Sequence, residues 1–193
     1  MGGTGGISET REISDDHPAD VSGVAGRFVW HATVDHSGGP VYQLLRVIHV
    51  FAVIVFMGNI ITGLFWKMHA DATKNETIMA HTMRGLIRAD RWFTVPGVVV
   101  ITVAGILAAV KAGLPLLGTG WILWSIVAFS LSGVAFMWKV APLQKRLLRM
   151  LETEGTLDWA RYRSQSLQWE LWGLFATLTP AAAVALMIWK PAI

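Results

Sequence analysis

The stretch VIHVFAVIVFMGNIITGLFW (residues 47–66) is twenty residues long and contains no charged side chain. Because a helix rises about 1.5 Å per residue, about twenty apolar residues cross the roughly 30 Å hydrocarbon core of a bilayer. Three further uncharged runs follow, at 92–110, 112–138 and 171–189. The sequence therefore predicts an all-α polytopic membrane protein, a four-helix transmembrane bundle. Its predicted spans are about 43–66, 92–110, 121–138 and 169–189.

The composition excludes several other classes of protein. Apolar residues make up 53% of the chain and charged residues only 15%, whereas a soluble domain carries about 25% charged residues. The uncharged runs lack the polar–apolar alternation of an outer-membrane barrel. The chain has no cysteine, so disulfides, thiolate metal sites and iron–sulfur clusters are excluded. The net charge of +3 is explained by membrane topology, and we expect no nucleic-acid partner.

Residues 1–41 differ from the rest of the chain. They contain eight glycines, six acidic residues and two arginines, and no hydrophobic segment typical of a signal peptide. Such a composition cannot support a core of its own. We therefore predict an extended, Gly-rich, acidic external tail at 1–41, followed by the four-helix transmembrane domain at 42–193. The expected partners are the lipid bilayer and other membrane-protein subunits on which the tail would rest.

The basic residues predict the orientation of the bundle. Five Lys and Arg follow the first span and six lie between the third and fourth spans, which is 11 of the 16 in the chain. The positive-inside rule places these two connections in the cytoplasm and both termini outside, in a bacterial inner membrane. Apolar residues at helical spacing in each connection (Met79, Met83, Leu86, Ile87; Leu143, Leu147, Met150, Leu151) indicate amphipathic segments lying in the headgroup layer. For the second connection, a plain extension of the third helix is an equal alternative.

Small and polar residues within the spans are candidate structural positions. Gly58 and Gly105 are expected where helices approach closely, since small residues pack helices in lipid. Pro96 and Gly97 open the second span, where a missing N–H costs little. Asn59 is a polar side chain near the middle of the first span, and the third span has serines, including Ser125.

His49 is the most informative polar residue. It lies inside the first span, one turn beyond Arg46, and ligation of a haem iron is its functional interpretation. A neutral imidazole bonded to a neighbouring helix is the alternative. His69 lies twenty residues away, about 30 Å along a continuous helix, so it cannot share an iron with His49. A second ligand could come from His31 or His36 in the tail, a methionine, another chain, or nothing.

A second group of potential metal ligands follows the first span. His69, His81, Asp71 and Glu76 could bind a metal, although their spacing matches no known ligand pattern and a solvated loop also explains them. No phosphate-binding loop, dinucleotide fingerprint, catalytic triad or zinc-protease motif is present.

Three segments carry a resemblance to a known superfamily. LLRVIHVFAVIVFMG (44–58), RWFTVPGVVVITVAGI (91–106) and GWILWSIVAF (120–129) resemble the membrane core of HemJ-type protoporphyrinogen oxidases and CopD-like copper-resistance proteins. They are closer still to an uncharacterised family of predicted bacterial integral membrane proteins in that superfamily. The resemblance implies haem b or a related tetrapyrrole at His49. It also implies a lysine shortly after the Gly-Trp pair, where this chain has Ser125.

These features predict an integral membrane accessory subunit of a larger complex that holds a haem-like tetrapyrrole through His49, with Arg46, His31 and His36 nearby. We lean against an enzyme because the lysine of the oxidases is missing. Three alternatives remain open: a haem-dependent oxidoreductase of the HemJ kind, a copper-handling protein of the CopD kind, and a structural subunit without a cofactor.

The orientation is tested by single cysteines placed in the cysteine-free chain. We expect Ser14→Cys to react with a membrane-impermeant maleimide in intact cells, and Ser164→Cys to react only after the membrane is permeabilised. The unmodified chain supplies a background without any thiol. Labelling of position 164 alone in intact cells would reverse the orientation.

Overall fold

The computed structural model of the chain describes Gly2, residues 39–153 and residues 156–192. Most of the predicted tail, including His31 and His36, lies outside the described residues. The described chain is helical and contains no strand. In order, the elements are α1 (Gly39–Ala72), α2 (Glu76–Ala89), a first π-turn (Asp90–Thr94), α3 (Val95–Lys111), α4 (Gly120–Ala135), a second π-turn (Phe136–Val140), α5 (Ala141–Glu152) and α6 (Trp159–Trp189).

Four helical rods are long and apolar enough to cross a membrane, which confirms the predicted bundle. They are 39–72, 76–111, 120–152 and 159–189, with mean hydropathies between 1.7 and 2.4. Each has at least 31 residues, so each is about 46 Å long or more and exceeds the hydrocarbon core. The rods therefore project beyond the predicted spans.

The π-turns allow two rods to continue through a proline. Pro96 and Pro142 each fall in the first turn of an α-helix that directly follows a π-turn. A proline cannot donate to the carbonyl four residues earlier and its ring crowds that carbonyl. The wider i→i+5 turn relieves this conflict without ending the helix. Pro96 therefore opens α3, as predicted, but α3 is a continuation of α2 and not a separate helix.

The helices pack as two pairs, with α1 along α3 and α4 along α6. Short polar contacts to backbone hold the second pair: the Ser125 hydroxyl lies 3.2 Å from the Ala183 carbonyl, and the Ser132 hydroxyl lies 2.6 Å from the Ala176 carbonyl. The two pairs meet where α1 contacts α6 and α2 contacts α5. We call this the Lys67 end of the bundle.

The buried core lies largely at the Lys67 end. Met79 and Met83 of α2 and Leu143, Leu147 and Leu151 of α5 are buried there in one cluster. The apolar faces of α2 and α5, which the sequence predicts to lie on lipid, therefore pack against each other instead. An amphipathic pattern requires an apolar neighbour but does not specify lipid or a second helix. For α5, the alternative of an extension of the third helix is correct.

Candidate functional site

His49 lies between α1 and α3. Its Nδ1 is 2.8 Å from the carbonyl oxygen of Ile101. Because a carbonyl only accepts, Nδ1 must carry the proton and donate it. In a neutral imidazole this fixes Nε2 as the atom with the free lone pair. Nε2 makes no hydrogen bond to any residue that the structure describes.

Gly105 creates the space that the His49 ring occupies. A Cβ added at Gly105 would stand 2.9 Å from both Cε1 and Nδ1 of the ring. Real Cβ atoms do not approach that closely, so any side chain at this position would displace the imidazole. At Gly97 the added Cβ would meet Phe56 at an ordinary 3.5 Å. Arg46, one turn before His49, places its guanidinium 5.4 Å from the centre of the Tyr42 ring.

Gly58 lies on an open face of α1. It is exposed, and an added Cβ would have nothing within 4 Å. No described helix packs against it. The Gly58 carbonyl instead accepts a 2.6 Å hydrogen bond from the Thr62 hydroxyl of the next turn.

A buried ion cluster joins α1 to α6 at the Lys67 end. The Lys67 side chain is 2% exposed and its Nζ lies 2.7 Å from Asp71 Oδ2 and 3.1 Å from Glu170 Oε1. Its third partner is the Ser166 hydroxyl. The Tyr162 hydroxyl donates to Asp71 Oδ1 at 2.8 Å. The ammonium thus donates hydrogen bonds to Ser166 and Glu170 and forms an ion pair with Asp71.

A second polar network lies around Asp90 of the first π-turn. Asp90 Oδ1 accepts from Thr94 at 2.8 Å and from Asn59 at 3.3 Å, while Oδ2 accepts from Gln144 at 2.8 Å. Asn59 also donates to the Thr94 hydroxyl at 2.9 Å. The network thus connects α1 with α5 across the first π-turn. Asn59, predicted as structural, is placed in this network.

A cleft of about 350 Å³ separates the two helix pairs and borders the Asp90 network. Exposed residues of α3 (Val95, Val99) and α4 (Ser130) contribute to its lining. Because α3 does not pack along α4 in the described residues, the cleft opens sideways between them. Trp169 also lines it, is 4% exposed, and has no hydrogen-bond partner for Nε1 in the described chain.

The potential metal ligands near the end of α1 are not brought together. His69 stacks on the Phe65 ring with centroids 6.2 Å apart, and Asp71 belongs to the ion cluster. Among the described residues, no three His, Asp or Glu side chains form a group that could hold a metal ion. Ser125, at the position of the lysine in the HemJ-type oxidases, bonds to backbone within its helix pair.

One comparison with known proteins gives a match. The family described as predicted integral membrane protein (DUF2269) matches residues 43–191. The chain belongs to this family. No curated protein and no solved structure matches it. The DUF2269 match covers the first rod from residue 43 onward, the other three rods completely and both polar networks, and its description names no activity or ligand.

The ion cluster of this DUF2269 protein was not predicted from the sequence. Lys67 was assigned to a cytoplasmic connection because it directly follows an uncharged run. The available signals were the i, i+4 spacings of Lys67 with Asp71 and of Ser166 with Glu170, which place each pair on one helix face. Nothing in the sequence indicated that these two faces meet.

We expect Lys67→Met to destabilise the protein, because it leaves the partly buried Asp71 and Glu170 beside each other without a cation; breaking a fully buried pair costs about 3–5 kcal/mol, and partial exposure of the two carboxylates lowers that figure. Thermal unfolding of the purified protein in detergent measures the loss. Lys139→Met is the matched control, since Lys139 is an exposed lysine near the Trp172 ring. The triple variant Lys67→Met, Asp71→Asn, Glu170→Gln should recover part of the stability. Equal effects of the two single substitutions would contradict a structural role of the cluster.

Proposed function

We propose that this chain is an integral subunit of a larger complex in a bacterial inner membrane and holds haem b or a related tetrapyrrole through His49. The observation that carries the proposal is the hydrogen bond from His49 Nδ1 to the Ile101 carbonyl. Metal-ligating histidines commonly donate their second ring N–H to a carbonyl or carboxylate, which fixes the tautomer and makes the other nitrogen more basic.

The residues around His49 fit such a group. Nε2 would supply the lone pair that holds the iron of such a group. Gly105 lets the ring lie against α3, and the Arg46 guanidinium, one turn away, suits the carboxylates of a tetrapyrrole. His31 and His36 are the candidates for a second axial ligand and lie outside the described residues. A haem held there would supply one-electron redox chemistry.

The proposal of a larger complex is supported by the exposure of α1. In the most hydrophobic 18-residue window of α1 only 6% of the residues are buried, against 22–28% in the other three rods. The helix that carries His49 therefore presents most of its surface to its surroundings. A neighbouring subunit on this surface could cover the tetrapyrrole and receive the tail.

The proposed orientation places both termini on the external side. It still holds when the buried Lys67 is left out of the Lys and Arg residues counted on the cytoplasmic side.

The alternatives make different demands on the chain. A structural subunit needs only the hydrogen bond from His49 to Ile101, since that bond already anchors the ring. A HemJ-type oxidoreductase needs a cation that replaces the lysine missing at Ser125. A CopD-like copper protein needs further ligands from methionines, the tail or another chain.

We expect the complex isolated in mild detergent to show a Soret band that His49→Ala abolishes while the protein still inserts. Gly105→Val should weaken the band by displacing the ring, whereas Gly97→Ala should not. His69→Ala is the control on the same helix. A band that survives His49→Ala, or an intact complex without tetrapyrrole, would leave His49 as a packing residue.

A second candidate function is the binding of a lipid-soluble molecule in the cleft. Apolar walls, the Asp90 network and the unpartnered Trp169 N–H are what a buried amphipathic ligand would require. A sideways opening between α3 and α4 would admit such a molecule from the bilayer.

The cleft can be filled without disturbing the backbone. Gly133 lines it, and an added Cβ there would have nothing within 4 Å. We expect Gly133→Leu to remove a lipid-soluble compound that copurifies with the protein, as measured by mass spectrometry of organic extracts. Gly58→Leu is the matched control outside the cleft. Identical extracts from both variants and the unmodified protein would count against a ligand in the cleft.

A further inference from the structure

A second hollow, of about 280 Å³, lies between α2 and α5 at the Lys67 end. It is lined by Arg84, Ile87, Arg88, Arg91, Trp92 and Leu148. We propose that this arginine hollow is a binding site for the phosphate headgroup of an anionic phospholipid. This site is separate from His49 and from the cleft, and does not depend on either.

The charge of the hollow is positive and only partly neutralised. Arg84, Arg88 and Arg91 follow one another at spacings of four and three residues, which places them on one face of the rod. Arg84 pairs with Glu152 at 2.7 Å. Arg88 and Arg91 are exposed and have no acidic partner among the described residues. Three guanidinium groups and one carboxylate leave a net charge of about +2.

The shape of the guanidinium group favours phosphate as the ligand. Its planar fork of N–H donors matches two oxygens of a phosphate at once, and it is more weakly hydrated than an ammonium. Basic pockets beside membrane helices are typical sites for phospholipid headgroups. A lipid with two phosphates, such as cardiolipin, would neutralise the hollow fully, whereas phosphatidylglycerol would neutralise it by half.

The apolar part of the lining favours a lipid over a free anion. Trp92 is 70% exposed and stands at the start of the predicted second span, where an indole lies at headgroup level. Ile87 and Leu148 are partly buried hydrophobic residues packed against the core at this end. A soluble phosphate would contact only the arginines. A phospholipid would contact the arginines with its headgroup and Trp92 with its glycerol and first methylenes.

The test compares two double variants that remove the same charge. Arg88→Gln with Arg91→Gln empties the hollow of its unpaired cations. Arg146→Gln with Arg149→Gln removes two exposed arginines of α5 that do not line it. The full-length protein is titrated in detergent with cardiolipin, phosphatidylglycerol or phosphatidylcholine, and bound lipid is counted by native mass spectrometry.

We expect the unmodified protein to retain cardiolipin most strongly and phosphatidylcholine least. Loss of Arg88 and Arg91 should weaken retention of cardiolipin by about 25-fold, since each basic residue near a membrane surface contributes roughly a fivefold factor and the two factors multiply. The α5 control should retain cardiolipin like the unmodified protein. Equal losses in both variants would indicate general surface charge and overturn the proposal, as would unchanged retention in the Arg88 and Arg91 variant.

Two further measurements keep the outcome unambiguous. Inorganic phosphate at millimolar concentration should not displace cardiolipin, and Trp92→Ala should weaken lipid retention. Displacement by phosphate, with no effect of Trp92→Ala, would assign the hollow to a soluble anion and overturn the lipid proposal. If the double glutamine variant does not fold, Arg88→Lys with Arg91→Lys keeps the charge and removes the fork. The double lysine variant should then retain cardiolipin more weakly than the unmodified protein.

Discussion

The buried Lys67 ammonium is the interaction on which the arrangement of the two helix pairs depends. A charge in a low-dielectric interior is tolerated only when it is paired and hydrogen-bonded. Lys67 meets this demand with Asp71 from its own helix and with Ser166 and Glu170 from α6. Separating α1 from α6 would leave Glu170 without its cation and Lys67 with Asp71 as its one remaining partner in the cluster. The cluster therefore fixes which helix faces meet at this end.

The two π-turns extend this connection into a folded layer beyond the spans. Because Pro96 and Pro142 are accommodated without ending their helices, α2 and α5 continue outward as rigid rods. Their apolar faces pack together around Met83 and Leu147, which are 1% and 0% exposed. The pairs are thus held together mainly at one end. Away from this end, Phe56 of α1 meets Phe129 of α4 with ring centroids 5.6 Å apart, and both rings line the cleft between the pairs.

Much of the architecture could be predicted from the sequence because the bilayer imposes a strict requirement on length and charge. Uncharged runs such as 47–66 located all four rods. What the two amphipathic connections pack against could not be predicted, because Met79 and Leu147 show the same periodicity whether the neighbour is lipid or a helix. Lys67 was misplaced for a related reason. Its local sequence indicates a helix end near the membrane surface, and only the packing of α1 against α6 buries it.

The candidate site was predicted unevenly. His49 was recognised from its position in an apolar span, but its partner Ile101 lies 52 residues away and no local pattern links them. Gly105 was expected at a helix contact, yet its role is specific: it leaves room for one imidazole ring. Asn59 was predicted as a structural polar residue of the first span, whereas no local pattern links it to its partners Asp90 and Thr94, which lie 31 and 35 residues away.

The polar groups of the bundle differ in how completely they are satisfied, and this difference separates structural from binding roles. The Lys67 ammonium has two hydrogen-bond acceptors and an ion-pair partner, and the Asp90 carboxylate accepts from three side chains. Saturated groups of this kind stabilise a fold and offer little to a ligand. His49 has one ring nitrogen bonded and one unbonded, and Trp169 has an N–H without an acceptor in the described chain. These two residues and the unpaired arginines are the ones on which the proposed binding sites rest, while the ion cluster joins the helices that carry them.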